Sequence, residues 1–122
     1  MGARVLAVDD EKLIRMEMKL MLGREGFEVD TAATCAEADC LLCERHYDLV
    51  LTDVDLPDMS GIELLRHAKR IDPTTCVILL TASNSLVSPE QAEAAGAQCL
   101  LLKPFCLKDL LAEIRRALRL VA

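Results

Sequence analysis

The chain has 122 residues, of which 52% are hydrophobic, and a net charge of −6. This length supports one domain with a real core but not two, and the apolar content argues against disorder. The acidic balance argues against direct nucleic acid binding. No apolar stretch reaches the roughly 18 residues of a membrane span, and a strand begins by Arg4, which leaves no room for a signal peptide. We expect a cytoplasmic domain without membrane contact.

Five apolar runs alternate with five segments of helical character. A capping box, Thr34-Cys35-Ala36-Glu37, opens the second helix, and Ser88 with Pro89 opens the fourth. The predicted strands are Arg4–Val8, Phe27–Ala32, Asp48–Thr52, Cys76–Leu80 and Cys99–Leu102. The predicted helices are Glu11–Leu22, ending at Gly23, then Thr34 to about Arg45, Gly61 to about Arg70, Pro89–Ala95 and Leu107–Leu120.

Strict alternation of strand and helix predicts an α/β fold, with a parallel sheet that is covered by helices on both faces. The strands should therefore be buried on both sides. Met16 and the other apolar residues of the first helix are expected to fill the core. The six cysteines, with Cys40-x-x-Cys43 among them, are interpreted as small buried hydrophobes rather than a zinc or redox site.

Polar residues stand just past the ends of four of these strands. Asp9 and Asp10 follow the first strand, Asp53 the third, Thr81 the fourth and Lys103 the fifth. Ligands of open parallel sheets bind beyond the carboxyl ends of the strands. These five side chains should therefore meet at one site that contains three carboxylates, a hydroxyl and an ammonium group.

This combination suits a divalent cation and a phosphoryl group. Two carboxylates about 4 Å apart repel each other by roughly 4 kcal/mol at an effective dielectric near 20, and a cation removes that repulsion. Oxygen ligands favour Mg²⁺, with Mn²⁺ possible. Asp53 is the expected nucleophile, while Lys103 and Thr81 can neutralise and hydrogen-bond phosphoryl oxygens.

The chain resembles the response-regulator receiver domain of two-component signalling over about residues 4–120. The resemblance is carried by five segments together: Val8-Asp9-Asp10-Glu11, Asp48-Leu49-Val50-Leu51-Thr52-Asp53, Leu56-Pro57-Asp58-Met59-Ser60-Gly61, Leu80-Thr81-Ala82-Ser83, and Gly96-Ala97 leading to Lys103-Pro104-Phe105. It implies a single receiver domain over residues 1–122. It also implies the family's known fold, which is flavodoxin-like, doubly wound and three-layered, with strand order 2-1-3-4-5.

The resemblance also implies a role for each site residue. Asp53 is the phosphoacceptor, and its donor is a histidine kinase or a histidine phosphotransfer protein. Asp10, Asp53 and the main-chain carbonyl of Asp55 bind Mg²⁺ directly, and Asp9 does so through water. Thr81 and Lys103 hold the phosphoryl group, and the bond between Lys103 and Pro104 is expected to be cis. Such a domain is not an enzyme beyond its own phosphorylation and dephosphorylation.

Two departures from the family concern the output and the lifetime of the phosphoryl group. Leu100 stands where an aromatic residue is common in the fifth strand, and Asp55 and Ser83 occupy two positions that tune hydrolysis of the acyl phosphate. A switch through the segment Ala82–Ala95 is therefore expected. The downstream effector, which the sequence does not identify, would bind the face made by the fourth helix, fifth strand and fifth helix.

Two other classes of protein share features with this sequence. A haloacid-dehalogenase-like phosphohydrolase would also use an aspartyl phosphate, and Asp53-Val54-Asp55 imitates its Asp-x-Asp signature, but no acid pair follows Lys103. A flavin-binding protein would need a phosphate-cradling first loop, whereas Asp9-Asp10-Glu11 repels phosphate. The sequence favours equally a regulator of one domain and a domain taken from a longer protein.

Overall fold

The computed structural model describes residues 2–82 and 86–121, in which five strands alternate with five helices. The strands are β1 (Arg4–Val8), β2 (Glu28–Ala32), β3 (Leu49–Asp53), β4 (Cys76–Thr81) and β5 (Cys99–Leu102). The helices are α1 (Lys12–Arg24), α2 (Cys35–Glu44), α3 (Gly61–Ile71), α4 (Pro89–Ala94) and α5 (Leu107–Val121). No helix in these described ranges has both the length and the apolar character needed to cross a bilayer.

All five strands are parallel and lie in the order β2-β1-β3-β4-β5, which confirms the predicted fold class and strand order. Val8 pairs with Thr52, and Thr81 pairs with Leu102, so the strands end along one edge of the sheet. The expectation of strands buried on both faces is correct for β3 and β4. It is wrong for the two edge strands, each of which has a neighbour on one side alone: β2 has one buried residue, and Leu102 of β5 is 58% exposed.

Alternate residues of the central strands pack into two separate cores, because successive side chains of a strand point to opposite faces of the sheet. Leu6, Val50 and Leu79 point to the face covered by α2, α3 and α4. Ala7 and Leu51 point to the opposite face, where α1 and α5 pack. The strands are thus held rigidly from both sides, and the loops after them are left to form a site.

Helix α1 differs from its prediction in two respects. Its buried positions include Met18 and Leu22, whereas Leu13, Met16 and Leu20 are each more than half exposed. The expectation that Met16 fills the core is wrong, because α1 has more apolar residues than one buried stripe can hold. The helix also continues through Gly23 to Arg24. Its terminal glycine is Gly26, whose φ of 92° lies in the left-handed region.

The cysteines correct a second expectation. All six are free thiols: Cys35 and Cys76 are buried and Cys99 is half-buried, but Cys40, Cys43 and Cys106 are exposed. In α2 the buried positions are Cys35, Ala38 and Leu42, whereas Cys40 and Cys43 lie on the solvent-facing side of the helix. The interpretation as buried hydrophobes is therefore wrong for three of the six thiols.

Side-chain hydrogen bonds fix the ends of two helices and one connection. The hydroxyl of Thr34 accepts from the Glu37 amide, as predicted, and Ser88 with Gln91 forms the predicted capping box on α4. Just before β3, the buried Tyr47 donates its hydroxyl hydrogen to Oδ2 of Asp30 at 2.7 Å. This bond ties the α2–β3 connection to β2.

Candidate functional site

The site lies beyond the carboxyl ends of β1 and β3, which are neighbours in the sheet. Carboxylate oxygens of Asp9, Asp10 and Asp53 lie within 4.8 Å of one another. Within residues 2–82 and 86–121 this is the one group of three or more metal-ligating side chains. The predicted convergence of these three carboxylates is therefore correct.

Asp9 is the buried part of this cluster, with no solvent exposure. Its Oδ1 accepts the Glu11 amide hydrogen at 2.9 Å, and its Oδ2 accepts from Nζ of Lys103 at 2.9 Å. Its main-chain carbonyl accepts from the Arg15 guanidinium at 2.8 Å. Two of these donors satisfy the oxygens of the buried carboxylate and the third holds the Asp9 backbone, so burial does not leave Asp9 without partners.

Lys103 joins Asp9 to Asp53. Its Nζ also donates to Oδ2 of Asp53 at 2.9 Å, while Oδ1 of Asp53 accepts from the Asp55 amide at 3.1 Å. Burial opposes the charge of Lys103, but its hydrogen bonds to Asp9 and Asp53 outweigh burial and raise the pKa of its ammonium group above the ordinary value. Lys103 is therefore a cation at neutral pH, set between two carboxylates.

Thr81 and Asp55 lie at the margins of this group. Thr81 is buried, and its carbonyl accepts from the Lys103 amide at 2.7 Å, which places it beside the lysine. Its hydroxyl is 3.4 Å from the carbonyl of Ala82, a long contact that leaves it able to turn to another acceptor. The side chain of Asp55 is exposed, and Asp55 pairs with Ser60 through an isolated antiparallel bridge.

The donor set of the site fits a hard divalent cation. The three carboxylates bring three negative charges, and Lys103 offsets one of them. Asp10 is exposed, so a cation that binds here can keep some of its waters, as Mg²⁺ prefers. Oxygen ligands without thiolate or imidazole disfavour zinc and copper.

Three residues that the sequence analysis did not assign also shape the site. Arg15 holds the carbonyl of Asp9, and Asp58 links the loop after β3 to α2. Gly61 lies so close to Asp53 that a Cβ there would overlap the Asp53 carbonyl oxygen. The glycine at the first position of α3 was a signal for such a close approach. The contacts of Arg15 and Asp58 depend on tertiary packing and left no local signal.

The expectations about Lys103 and the output segment have different outcomes. The bond between Lys103 and Pro104 is cis, as the resemblance implied. Leu100 is half-buried and packs against the core beneath α2, α3 and α4. The expected switch segment includes Ser83, Asn84 and Ser85, which lie outside the described residues.

Comparison with known proteins agrees with this geometry. The model of the response regulator receiver domain family matches residues 5–115. Among curated proteins, the chain is 36% identical over 116 residues to the transcriptional regulatory protein PmrA of Pectobacterium parmentieri, covering 95% of this chain and 52% of that protein. It is 41% identical over 115 residues to the uncharacterized transcriptional regulatory protein YkoG of Bacillus subtilis, covering 94% and 50%.

Solved structures give the same result. A CheY-like response regulator receiver domain protein from Methanospirillum hungatei superposes with a TM-score of 0.93 at 36% identity, covering 99% of this chain and 97% of that one. A response regulator receiver domain protein from Clostridium thermocellum gives 0.90 at 35% identity, covering 96% and 94%. Both likenesses extend over nearly the whole fold.

The chain belongs to the response regulator receiver domain family of two-component signalling. Members of this family act as regulatory phosphoacceptors. The alternative of a haloacid-dehalogenase-like phosphohydrolase has no support from the family match or the related structures. The chain spans about half the length of PmrA and YkoG. The likeness to these two proteins therefore covers their receiver domain and not the activity of the whole regulator.

Proposed function

We propose that Asp53 accepts a phosphoryl group from a histidine kinase or a histidine phosphotransfer protein in a reaction that needs Mg²⁺, for which Mn²⁺ can substitute. The observation that carries this proposal is the placement of the Asp53 carboxylate beside those of Asp9 and Asp10, with Lys103 bridging Asp9 and Asp53. A nucleophilic oxygen, a cation site and a fixed ammonium group are thereby gathered within a few ångströms.

The residues around Asp53 divide into two groups in this proposal. Asp10, Asp53 and the main-chain carbonyl of Asp55 hold the metal directly, and Asp9 holds it through water. The arrangement is supported by the exposure of Asp10 and the complete burial of Asp9, which already receives two hydrogen bonds. On the other side, Lys103 and the hydroxyl of Thr81 bind phosphoryl oxygens.

In the transfer, an Asp53 oxygen attacks phosphorus as the bond from phosphorus to the donor's imidazole nitrogen breaks, and the imidazole leaves with the bonding electron pair. Bound Mg²⁺ supplies neutralising charge for the phosphoryl oxygens. Lys103 can exchange its contact with Asp53 for one with a phosphoryl oxygen while it keeps Asp9. The Thr81 hydroxyl can turn from Ala82 towards the same group.

We further propose that residues 1–122 act as one receiver domain in the cytoplasm, without membrane or direct nucleic acid contact. Its chemistry is limited to its own phosphorylation and dephosphorylation. The output would be a change in binding to an effector through the face formed by α4, β5 and α5. Related proteins named as transcriptional regulators support a role upstream of such an effector.

The test is intact-mass spectrometry after treatment with acetyl phosphate, with Mg²⁺ or with excess chelator. The wild type should gain one alkali-labile phosphoryl group only when metal is present, and Asp53→Asn should gain none. Asp55→Asn is the matched control, because it removes a nearby exposed carboxylate and keeps the main-chain carbonyl. Equal phosphorylation of wild type and Asp53→Asn would reject the assignment.

A further inference from the structure

The loop of residues 55–60, in the connection between β3 and α3, leads away from the proposed phosphoacceptor, and its two sides are joined at its base. At its base Asp55 and Ser60 pair through a β-bridge. The Gly61 amide donates to the Val54 carbonyl at 2.7 Å, and Gly61 packs on the backbone of Asp53. The bridge couples the two sides of the loop, so a displacement of its tip, residues 57–59, would be passed on to Asp55.

That tip is attached to a different element through Asp58. The two oxygens of its carboxylate accept hydrogen bonds from the amides of Cys35 and Ala36, each at 3.0 Å. These are the first two residues of α2, whose amides have no partner inside the helix. A negative charge at this end also complements the helix dipole. Asp58 thus binds the start of α2 with both of its oxygens.

Cys35 makes a second link between the same two segments. Its buried thiol lies 3.8 Å from the Met59 carbonyl and 3.9 Å from the Ser60 carbonyl, within range of weak sulfur hydrogen bonds. The hydrogen bond from the Cys35 amide lowers the pKa of the Asp58 carboxyl, so it is ionised at neutral pH. The charged group and the thiol hold the loop tip from two directions.

The consequence for the site runs through Asp55, the first residue of this loop. Its amide donates to Oδ1 of Asp53 at 3.1 Å, and its carbonyl is the third direct metal ligand in the proposed function. The position of that carbonyl depends on how the loop is held. A carbonyl displaced by a few tenths of an ångström fits octahedral Mg²⁺ poorly, because this ion demands near-ideal geometry.

We propose that Asp58 is a positioning residue for the metal site: by anchoring the loop of residues 55–60 to the N-terminus of α2, it holds the Asp55 carbonyl where the cation needs it. This inference rests on the proposed function, since it assumes a cation at Asp10, Asp53 and Asp55. It assigns a role in metal affinity to a side chain that does not touch the metal.

The test is direct titration with Mn²⁺, in which electron paramagnetic resonance follows the loss of the free-ion signal. This readout does not depend on phosphorylation. Three variants are compared with wild type: Asp58→Ala, Asp58→Asn and Thr34→Ala. Thr34 caps the same end of α2 by accepting from the Glu37 amide, so Thr34→Ala weakens the helix start without removing the link to the loop.

Asp58→Ala should weaken Mn²⁺ binding on the order of 10-fold, the lower end of the range for groups that orient metal ligands. Asp58→Asn, which keeps an acceptor oxygen, should recover part of this loss. Thr34→Ala should bind Mn²⁺ as wild type does, even where its melting temperature falls as far as that of Asp58→Ala.

The positioning role would be overturned, and the proposed function would stand, in either of two cases. In the first, both Asp58 variants bind Mn²⁺ with wild-type affinity. In the second, Asp58→Ala and Thr34→Ala lose Mn²⁺ affinity equally. Absence of Mn²⁺ binding by the wild type would instead overturn the metal site of the proposed function, and this inference with it. Asp58→Asn keeps the test decisive if Asp58→Ala does not fold.

Discussion

The ammonium group of Lys103 lies 2.9 Å from Oδ2 of Asp9, a carboxylate that has no exposure to solvent. Lys103 itself is mostly buried, with 22% of its side chain exposed. Removal of one member of such a pair leaves the other as an uncompensated charge in a poorly solvated place. The lysine is therefore a structural residue as well as a proposed phosphoryl ligand.

Lys103→Met should lower the free energy of unfolding by about 2 kcal/mol in the presence of chelator, because Asp9 and Asp53 lose their common cation. Millimolar Mg²⁺ should restore most of this loss, since the metal supplies the missing charge. Urea denaturation with and without Mg²⁺ measures both quantities. An unchanged stability of the metal-free variant would contradict the structural role of the pair.

Mg²⁺ should raise the melting temperature of the wild type, and Asp10→Asn should abolish this rise. Ligand present at about 100 times its Kd stabilises a native state by about 2.7 kcal/mol, and this variant removes an exposed carboxylate that the proposed function makes a direct metal ligand. Without metal, Asp10→Asn should be no less stable than wild type, because one repulsive charge is gone.

Glu11→Gln is the control for this experiment. Glu11 is exposed, and its amide, not its side chain, contacts Asp9. The control removes the same charge one residue away and should keep the full response to Mg²⁺. A thermal melt of the three proteins separates loss of a metal ligand from a general effect of charge.

Gly61→Ala should destabilise the fold by about 1–3 kcal/mol, because its Cβ would overlap the Asp53 carbonyl oxygen. Gly23→Ala is the opposite case: Gly23 lies inside α1, and a Cβ there meets nothing within 4 Å. That change should stabilise by about 0.5–1 kcal/mol. Chemical denaturation of both variants checks the two signs, and a destabilised Gly23→Ala would contradict the helix boundary.

The rate at which iodoacetamide alkylates each of the six thiols should follow the exposure of that thiol. Cys40, Cys43 and Cys106 should react first, whereas Cys35 and Cys76 should react only as the protein unfolds. Burial raises the pKa of the Cys35 thiol to about 12, which further suppresses its reactive thiolate. Peptide mass spectrometry over time gives the order, and early labelling of Cys35 would contradict its burial.

The same thiol links stability to alkaline pH. Burial, with smaller effects of Asp58 and Asp39, raises the pKa of Cys35 from 9.0 to about 12, so the folded state keeps a proton that the unfolded chain releases. The contribution of Cys35 is full below pH 9 and is lost as the pH rises towards 12. Unfolding free energy should therefore fall over this range, and less steeply in Cys35→Ala than in Cys40→Ser, whose thiol is exposed.

The strands and the core of the site were predictable from sequence for a local reason. Buried parallel strands are short apolar runs, and the residues that follow them must lie at one edge of the sheet, so the sequence alone predicts that Asp9, Asp53 and Lys103 meet. The strand order came from the family resemblance. Position along an apolar run alone carries no information about which strand lies at the edge.

The errors arose where apolar residues exceed the available core. In α1 the pattern allowed more than one buried stripe, and Met16 and Leu20 proved exposed. The prediction that Cys40 and Cys43 are buried is wrong because the cysteine side chain is compatible with either face of a helix. The sequence does not indicate the hydrogen bonds of Asp58 to α2, since its partners lie 22 and 23 residues away in sequence.

The position of Tyr47 determines what optical methods can detect in this protein. The chain has one tyrosine and no tryptophan, so its near-ultraviolet absorbance and fluorescence come almost entirely from this ring. Tyr47 is buried and hydrogen-bonded to Asp30 before β3 begins, six residues from Asp53 and so roughly 20 Å away along an extended chain. Its emission should report the loss of the native fold and stay silent when the carboxylate cluster gains an ion or a phosphoryl group. A tryptophan placed at Leu56, in the loop that follows Asp53, would give the protein a second, independent signal.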